Sequence, residues 1–217
     1  MLKTPFERIF QNMTRPWVMS SYLVLTVLSF IYWDKPIAEA VHALDFGQGV
    51  LVLKALSWLG LSKAYLIGLP VVALILHYVF KHIKWAFRTW FLWLCVFVPD
   101  LIAVGLKYIF GRARPELLFQ EQLYGFQWFK HGHVFHSFPS GHMTTIMGFV
   151  FGLCILLPRY RVLFLCLGVA VGISRILLLQ HYVSDVMTAA YLALIEVWVL
   201  QRVLQRYAPT FIEEIHA

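Results

Sequence analysis

The sequence predicts an all-α polytopic membrane protein, a bundle of six transmembrane helices built as one unit over residues 1–217. Three observations carry that reading. Of the 217 residues, 60% are hydrophobic and only 13% are charged, whereas a typical soluble domain is about 45–50% apolar and about 25% charged. Charge-free apolar runs recur at 16–33, 64–80, 89–99, 143–158, 162–174 and 186–195. Trp17, Trp33, Trp85 and Trp198 sit near the ends of these runs, as interfacial aromatics do. This balance excludes an ordinary soluble enzyme and a disordered chain. The net charge of +7 is then the basic excess of cytoplasmic loops, and a nucleic-acid partner is not expected.

Most of the runs fall short of the roughly 20 residues that a helix needs to cross the hydrocarbon core, so each span extends past a charge at one end. The third continues through Asp100 to Lys107, the fifth through Arg175 to about Leu179, and the sixth through Glu196 to Leu200. The first run follows Lys3, Arg8 and Arg15 and precedes Ala38-Glu39-Ala40, the outline of a cleaved signal peptide. Its length exceeds the usual h-region of about 7–15 residues and favours a retained helix. Residues 36–62 are too polar for a seventh span. Ile37, Val41 and Leu44 fall at i, i+4 and i+7, which predicts a short helix lying along the interface, with Gly47 and Gly49 as a break. Cys95, Cys154 and Cys166 lie in apolar runs without paired spacing. They are expected to be small buried hydrophobes rather than a disulfide or zinc framework.

Orientation follows from the basic residues. With the N-terminus inside, inside segments hold Lys3, Arg8, Arg15, Lys81, Lys84, Arg88, Arg159, Arg161, Arg202 and Arg206. Outside segments hold Lys35, Lys54, Lys63, Lys107, Arg112, Arg114, Lys130 and Arg175. The inside charges sit in short loops and tails, where the positive-inside rule counts most, so both termini are expected in the cytoplasm.

Three polar clusters interrupt the apolar pattern. Lys107 is followed, after six residues, by Arg114-Pro115; Pro139-Ser140-Gly141-His142 precedes the fourth run; Ser174-Arg175 is followed by His181 and Asp185. Each has a simple structural reading when taken alone: a snorkelling lysine with a basic loop, a turn and helix start, and a neighbouring His–Asp pair at i, i+4. In a six-span arrangement, however, the first cluster follows span three, the second precedes span four, and the third joins spans five and six. All three therefore face one side, the extracytoplasmic one for an inside N-terminus. Ionisable residues gathered at such depth point to function.

Lys107, Arg114 and Arg175 together suit a dianion, and the arginine fork matches phosphate oxygens. The Ser140 hydroxyl and the Gly141 N–H add neutral donors at a helix N-terminus, where anions are favoured. His181, with Asp185 one turn on to fix its tautomer, suits a nucleophile. His142 suits the proton transfers to the leaving oxygen and from water. A phosphohistidine would divide one difficult displacement into two easier ones.

The strings Lys107-x6-Arg114-Pro115, Pro139-Ser140-Gly141-His142 and Ser174-Arg175-x5-His181-x3-Asp185 resemble the three-part signature of the type-2 phosphatidic acid phosphatase superfamily, matched in order within 107–185. The resemblance implies metal-independent dephosphorylation of a lipid phosphate at the outer membrane face, with no cofactor. It implies His181 as nucleophile, His142 as acid and base, Asp185 as orienter, and Lys107, Arg114, Ser140, Gly141 and Arg175 as phosphate ligands. It also implies the bilayer as setting, a bacterial inner membrane with a periplasmic site, and a substrate such as lipid A, phosphatidylglycerophosphate, phosphatidate or polyprenyl diphosphate. Lipid-to-lipid phosphotransfer and a non-catalytic lipid-binding or transport protein are the alternatives. The oligomeric state is left open.

Outside the signature, Asp100 lies two helical turns before Lys107. It is expected either to orient a basic ligand or to pair with another polar group. Glu196 is expected to be structural. The aromatic stretch 116–138 is expected to cover the site at headgroup level or to anchor the protein there. His131, His133 and His136 lack a companion carboxylate or cysteine set, so a metal site is not expected.

Overall fold

The computed structural model describes residues 5–44 and 51–216, and every regular element in them is a helix. An isolated bridge between Arg112 and Phe126 is the strand-like pairing among the described residues. Four helices are long and apolar enough to cross a bilayer: 16–43, 83–110, 158–177 and 183–207. Helices α4 (Leu51–Trp58) and α5 (Ser62–Tyr78), bent by 48° at their junction, form a fifth if they act as one broken span. A sixth crossing requires α8 (Gly141–Leu156), whose 16 residues rise about 24 Å, less than the roughly 30 Å hydrocarbon core. The protein is thus a polytopic all-α membrane protein. Large apolar side chains such as Leu23, Ile67, Leu101 and Val162 are each more than 60% exposed, which suits lipid contact and would be costly in water.

The first span differs from its expected outline. Pro16 sits at the first turn of α2 (Pro16–Leu28), where its missing N–H costs no hydrogen bond. The helix continues through a π-turn at Ser29–Trp33 into α3 (Asp34–Ala43). Residues 34–43 therefore extend the first helix rather than forming a separate interfacial one. Their buried face is Asp34, Ala38 and Val41, while Leu44 is exposed; Ala38 packs against Leu118 and Tyr182. Gly47 and Gly49 lie outside the described residues.

Helix α6 (Ile83–Phe110) runs about 42 Å through the bundle and ends at Gly111, whose φ of 54° is the left-handed geometry that glycine adopts without cost. Helix α8 lies at the centre, with 11 of its 16 residues buried, between α6, α9 (Arg161–Leu177) and α10 (Val183–Tyr207). Small residues let the backbones approach: a Cβ on Gly148 would stand 2.2 Å from the Cys95 carbonyl oxygen of α6. Cys95 and Cys154 are buried as expected, but Cys166 is exposed on α9, so only two of the three thiols serve as core.

At one end of the bundle, α11 (Pro209–His216) covers the start of α6, while α1 (Pro5–Met13) packs on α8 and α10. Phe87 meets Phe211 with ring centroids 5.3 Å apart, and the Arg88 Nε–H donates to the Ile215 carbonyl at 2.9 Å. Trp198 stacks on Phe10 at 4.1 Å. It is therefore packed beneath the N-terminal helix instead of standing free at the interface. Both terminal helices and the Lys81–Arg88 segment thus share one end of the bundle. Lys107, at the far end of α6, stands at the other.

Candidate active site

The site is assembled where α6 ends, α8 begins, and α9 turns into α10. Beyond Gly111 the chain is pinned by backbone bonds from Ala113 N–H to the Gly125 carbonyl (3.0 Å), from Arg114 N–H to the Val134 carbonyl (2.8 Å), and from Ser137 N–H to the Arg112 carbonyl (3.1 Å). These bonds fold the aromatic stretch back over the helix ends. Helix α7 (Pro115–Glu121) opens with Pro115 directly after Arg114.

Lys107 donates its Nζ to the carbonyls of Pro139 (2.6 Å) and His136 (3.2 Å), which holds the ammonium beside Gly141. A Cβ on Gly141 would lie 3.7 Å from Lys107 Nζ. Arg114 donates to the Gln180 side-chain oxygen at 3.1 Å. Arg175 donates to the hydroxyl of Ser57, from α4. Arg114, Arg175, Ser140, His181 and Asp185 are all buried. The Nε atoms of Arg114 and Arg175 and the Ser140 Oγ have no hydrogen-bond partner among the described residues. Buried donors normally find partners, so this surplus suits an anion. His142 stands at the first turn of α8. The α4–α5 junction presses on it so closely that a Cβ on Gly60 would lie 2.7 Å from the histidine Cβ. Lys107, Arg114 and Arg175 act electrostatically on both His142 and His181. The structure thus brings all eight signature residues to one end of the bundle.

The surroundings of His181 differ from the expected His–Asp pair. Its Nδ1 donates to the Ser137 carbonyl oxygen at 2.8 Å. Asp185 Oδ2 stands 3.8 Å from that nitrogen, beyond hydrogen-bond reach. Asp185 instead accepts from the Ser137 hydroxyl at 2.7 Å and from the Tyr182 N–H at 2.9 Å. A carbonyl oxygen can only accept, so the proton of neutral His181 is on Nδ1 and the lone pair is on Nε2. Burial, followed by Arg114, Lys107 and Arg175, holds His181 well below the ordinary imidazole range. The cations oppose a second positive charge, and the ring is neutral at neutral pH.

Several participants carry no signature. Arg112 is fully buried and bonds to Asp185, to Ser184 Oγ (2.7 Å) and to Asp34 Oδ2 (2.7 Å). Its guanidinium lies 4.7 Å from the Tyr182 ring centroid, 4.8 Å from Phe30 and 5.4 Å from Phe126, within cation–π range. The one sequence signal for these residues is an acid, Asp34, placed just past an apolar run, as Asp100 and Asp185 are placed near run ends. Asp100 accepts from the Thr145 hydroxyl at 2.9 Å, so its direct partner is a threonine and not Lys107. Asp100, Thr145, Gly141 and Lys107 line one cavity of about 310 Å³ between α5, α6 and α8. Glu196 keeps one carboxylate oxygen buried without a hydrogen-bond partner among the described residues.

The aromatic stretch has two faces. Phe126 and Phe138 pack on Phe110, with centroids 5.6 and 5.1 Å away, while Trp128 and Phe129 project outward and are exposed. His131 and His136 lean on Tyr108. Among the described residues, no three His, Cys, Asp or Glu side chains gather as metal ligands.

A family model of the PAP2 superfamily matches residues 88–208. Two curated proteins, each named Lipid A 1-phosphatase, from Rhizobium johnstonii (strain DSM 114642 / LMG 32736 / 3841) and Rhizobium etli (strain ATCC 51251 / DSM 11541 / JCM 21823 / NBRC 15573 / CFN 42), are 38% identical over 96 residues. That stretch is 44% of this chain and 39% and 41% of theirs, so the chain spans about two fifths of the length of the relatives it matches. No solved structure matches. The family match covers more than half of the chain and contains all three motifs, and the chain belongs to the PAP2 superfamily.

Proposed function

We propose that this protein is a membrane lipid phosphate phosphatase that works through a phosphohistidine, with residues 107–185 as the catalytic part of a single membrane-embedded unit. One observation carries the reading. The Nδ1–H···O=C bond to Ser137 leaves the Nε2 lone pair of His181 as nucleophile in a pocket of three cations. Lys107, Arg114, Ser140, Gly141 and Arg175 would bind the phosphoryl oxygens and stabilise charge on them as the bond to the leaving oxygen breaks. Nε2 attacks phosphorus while His142 gives a proton to the departing lipid oxygen. His142 then takes a proton from the water that attacks the phosphohistidine, releasing inorganic phosphate and restoring neutral His181. The bound dianion offsets the cations around His142, so a proton can rest there during the first step.

Lipid A bearing a 1-phosphate leads the substrate classes, on the strength of the two relatives named for that activity. The setting follows from the same reading. With Arg8, Arg15, Lys81, Lys84 and Arg88 near the end opposite the site, the positive-inside rule supports an inner membrane with the site on the periplasmic face.

The test is phosphate release from lipid A, phosphatidylglycerophosphate, phosphatidate and a polyprenyl diphosphate, side by side in excess EDTA. Release from lipid A supports the full reading. Strict dependence on added divalent metal refutes the mechanism, recovery of phosphate on a second lipid identifies a transferase, and inactivity on all four substrates points to a lipid-binding protein.

A further inference from the structure

The first transmembrane helix carries, just after its π-turn, a carboxylate that reaches the site. Asp34 lies 54 residues before the matched region begins at residue 88, yet it is fully buried against the third motif. Its Oδ1 accepts the Ser184 N–H at 3.0 Å and its Oδ2 accepts Arg112 Nη2 at 2.7 Å. Arg112 bonds through Nη1 to Asp185, Asp185 accepts from the Ser137 hydroxyl, and the Ser137 carbonyl accepts from His181 Nδ1. A line of hydrogen bonds, passing through the covalent frame of Ser137, therefore joins Asp34 of the first span to the imidazole.

We propose that Asp34 is a positioning residue for His181, acting through Arg112 and Asp185, so that the first transmembrane helix is an integral part of the active site. The proposal rests on the phosphatase reading above. Two features give Asp34 a purpose beyond holding helices together. The first is charge. Arg112 alone would neutralise Asp185; with Asp34 sharing the guanidinium, the buried trio keeps one net negative charge beside an imidazole that otherwise faces Lys107, Arg114 and Arg175. That charge favours the electron-poor imidazole that forms as Nε2 bonds to phosphorus. The second is direction. Arg112 is held between two carboxylates, with the Phe30, Phe126 and Tyr182 rings around it, so its fork cannot turn without losing a buried bond. Asp185, and through it Ser137, inherits that fixed geometry.

The experiment compares wild type, Asp34→Asn, Arg112→Gln and the double variant in detergent. The substrate is the lipid phosphate on which wild type is most active, and folding is checked by thermal unfolding. Asp34→Asn is expected to lower kcat roughly 10- to 100-fold with KM little changed. The acid limb of kcat/KM is expected to move to lower pH, because the protonated imidazole loses a nearby negative charge. The double variant is expected to be no slower than Arg112→Gln, since residues acting in one line are not additive. An unchanged kcat and acid limb in Asp34→Asn, or losses that multiply in the double variant, overturn the proposal. If Asp34→Asn does not fold, Asp34→Glu, which keeps the charge but displaces Arg112, takes its place: a lower kcat with an unchanged acid limb supports the proposal, and a wild-type kcat overturns it. An inactive wild type counts against the phosphatase reading instead.

Discussion

His181 and Ser137 are joined by a 2.8 Å hydrogen bond from the imidazole Nδ1 to the serine carbonyl oxygen, and Asp185 meets the same serine at its hydroxyl. The acid that the third motif places one turn after the histidine thus acts on a backbone segment, and the backbone acts on the ring. A carbonyl cannot exchange a proton with the imidazole as a carboxylate can, so this arrangement fixes the tautomer without offering a second site for the proton.

The two histidines have separable roles. His181→Ala is expected to abolish turnover and any acid-labile phosphoenzyme. His142→Ala is expected to slow turnover on a lipid substrate by about 10²–10⁴-fold. It should still form a phosphoenzyme from an aryl phosphate, whose leaving group needs no proton. Acid-quench labelling with each substrate distinguishes the two, and a phosphoenzyme in His181→Ala refutes the assignment of the nucleophile.

Ser137 and Asp185 differ in what they leave behind. Ser137→Ala removes the hydroxyl but keeps the carbonyl that holds His181, so kcat is expected to fall less than in Asp185→Asn. The asparagine variant also removes one of the two carboxylates that hold Arg112, leaving the guanidinium to Asp34, and so loses a buried bond between charged groups worth about 1.5–3 kcal/mol. Thermal unfolding in detergent should show a lower Tm for Asp185→Asn than for Ser137→Ala, alongside the difference in kcat.

The pH dependence follows from the neutral ring. The active form of His181 is the unprotonated one. Burial and the cations Arg114, Lys107 and Arg175 hold its titration well below the ordinary value of 6.5. As pH falls through 6.5, His181 therefore stays active, and its protonation removes activity only at lower pH. The acid limb of kcat/KM, which reports the free enzyme, is expected below 6.5. A limb at or above 6.5 that persists in His142→Ala assayed on an aryl phosphate would contradict this placement.

Close helix contact gives a prediction of stability. A methyl on Gly148 would meet the Cys95 carbonyl at 2.2 Å, and backbone cannot rotate away as a side chain can. Gly148→Ala is expected to destabilise the α6–α8 pair by about 1–3 kcal/mol, seen as a lower Tm in detergent. Gly105→Ala, where a Cβ meets nothing within 4 Å, is the control from the same class of helix.

Membrane residence, the all-helical class and the three motifs were legible in the chain itself, because each depends on local composition or on fixed spacing. That the motifs should share a side followed from their placement at successive run ends. The tertiary structure decided what those local patterns cannot encode. Asp34 and Arg112 are 78 positions apart and Asp34 and Ser184 are 150 apart, and a residue's periodicity is silent about partners at such separations. Cys166 looked like Cys95 and Cys154 in sequence, but lies on the exposed side of α9, since an apolar run has no polar face to mark which side is inside. Asp185 was marked as the partner of His181 by a helical spacing. The chain between α7 and α8 brought the Ser137 carbonyl nearer, because backbone geometry, and not spacing along a helix, sets which acceptor reaches a ring nitrogen first.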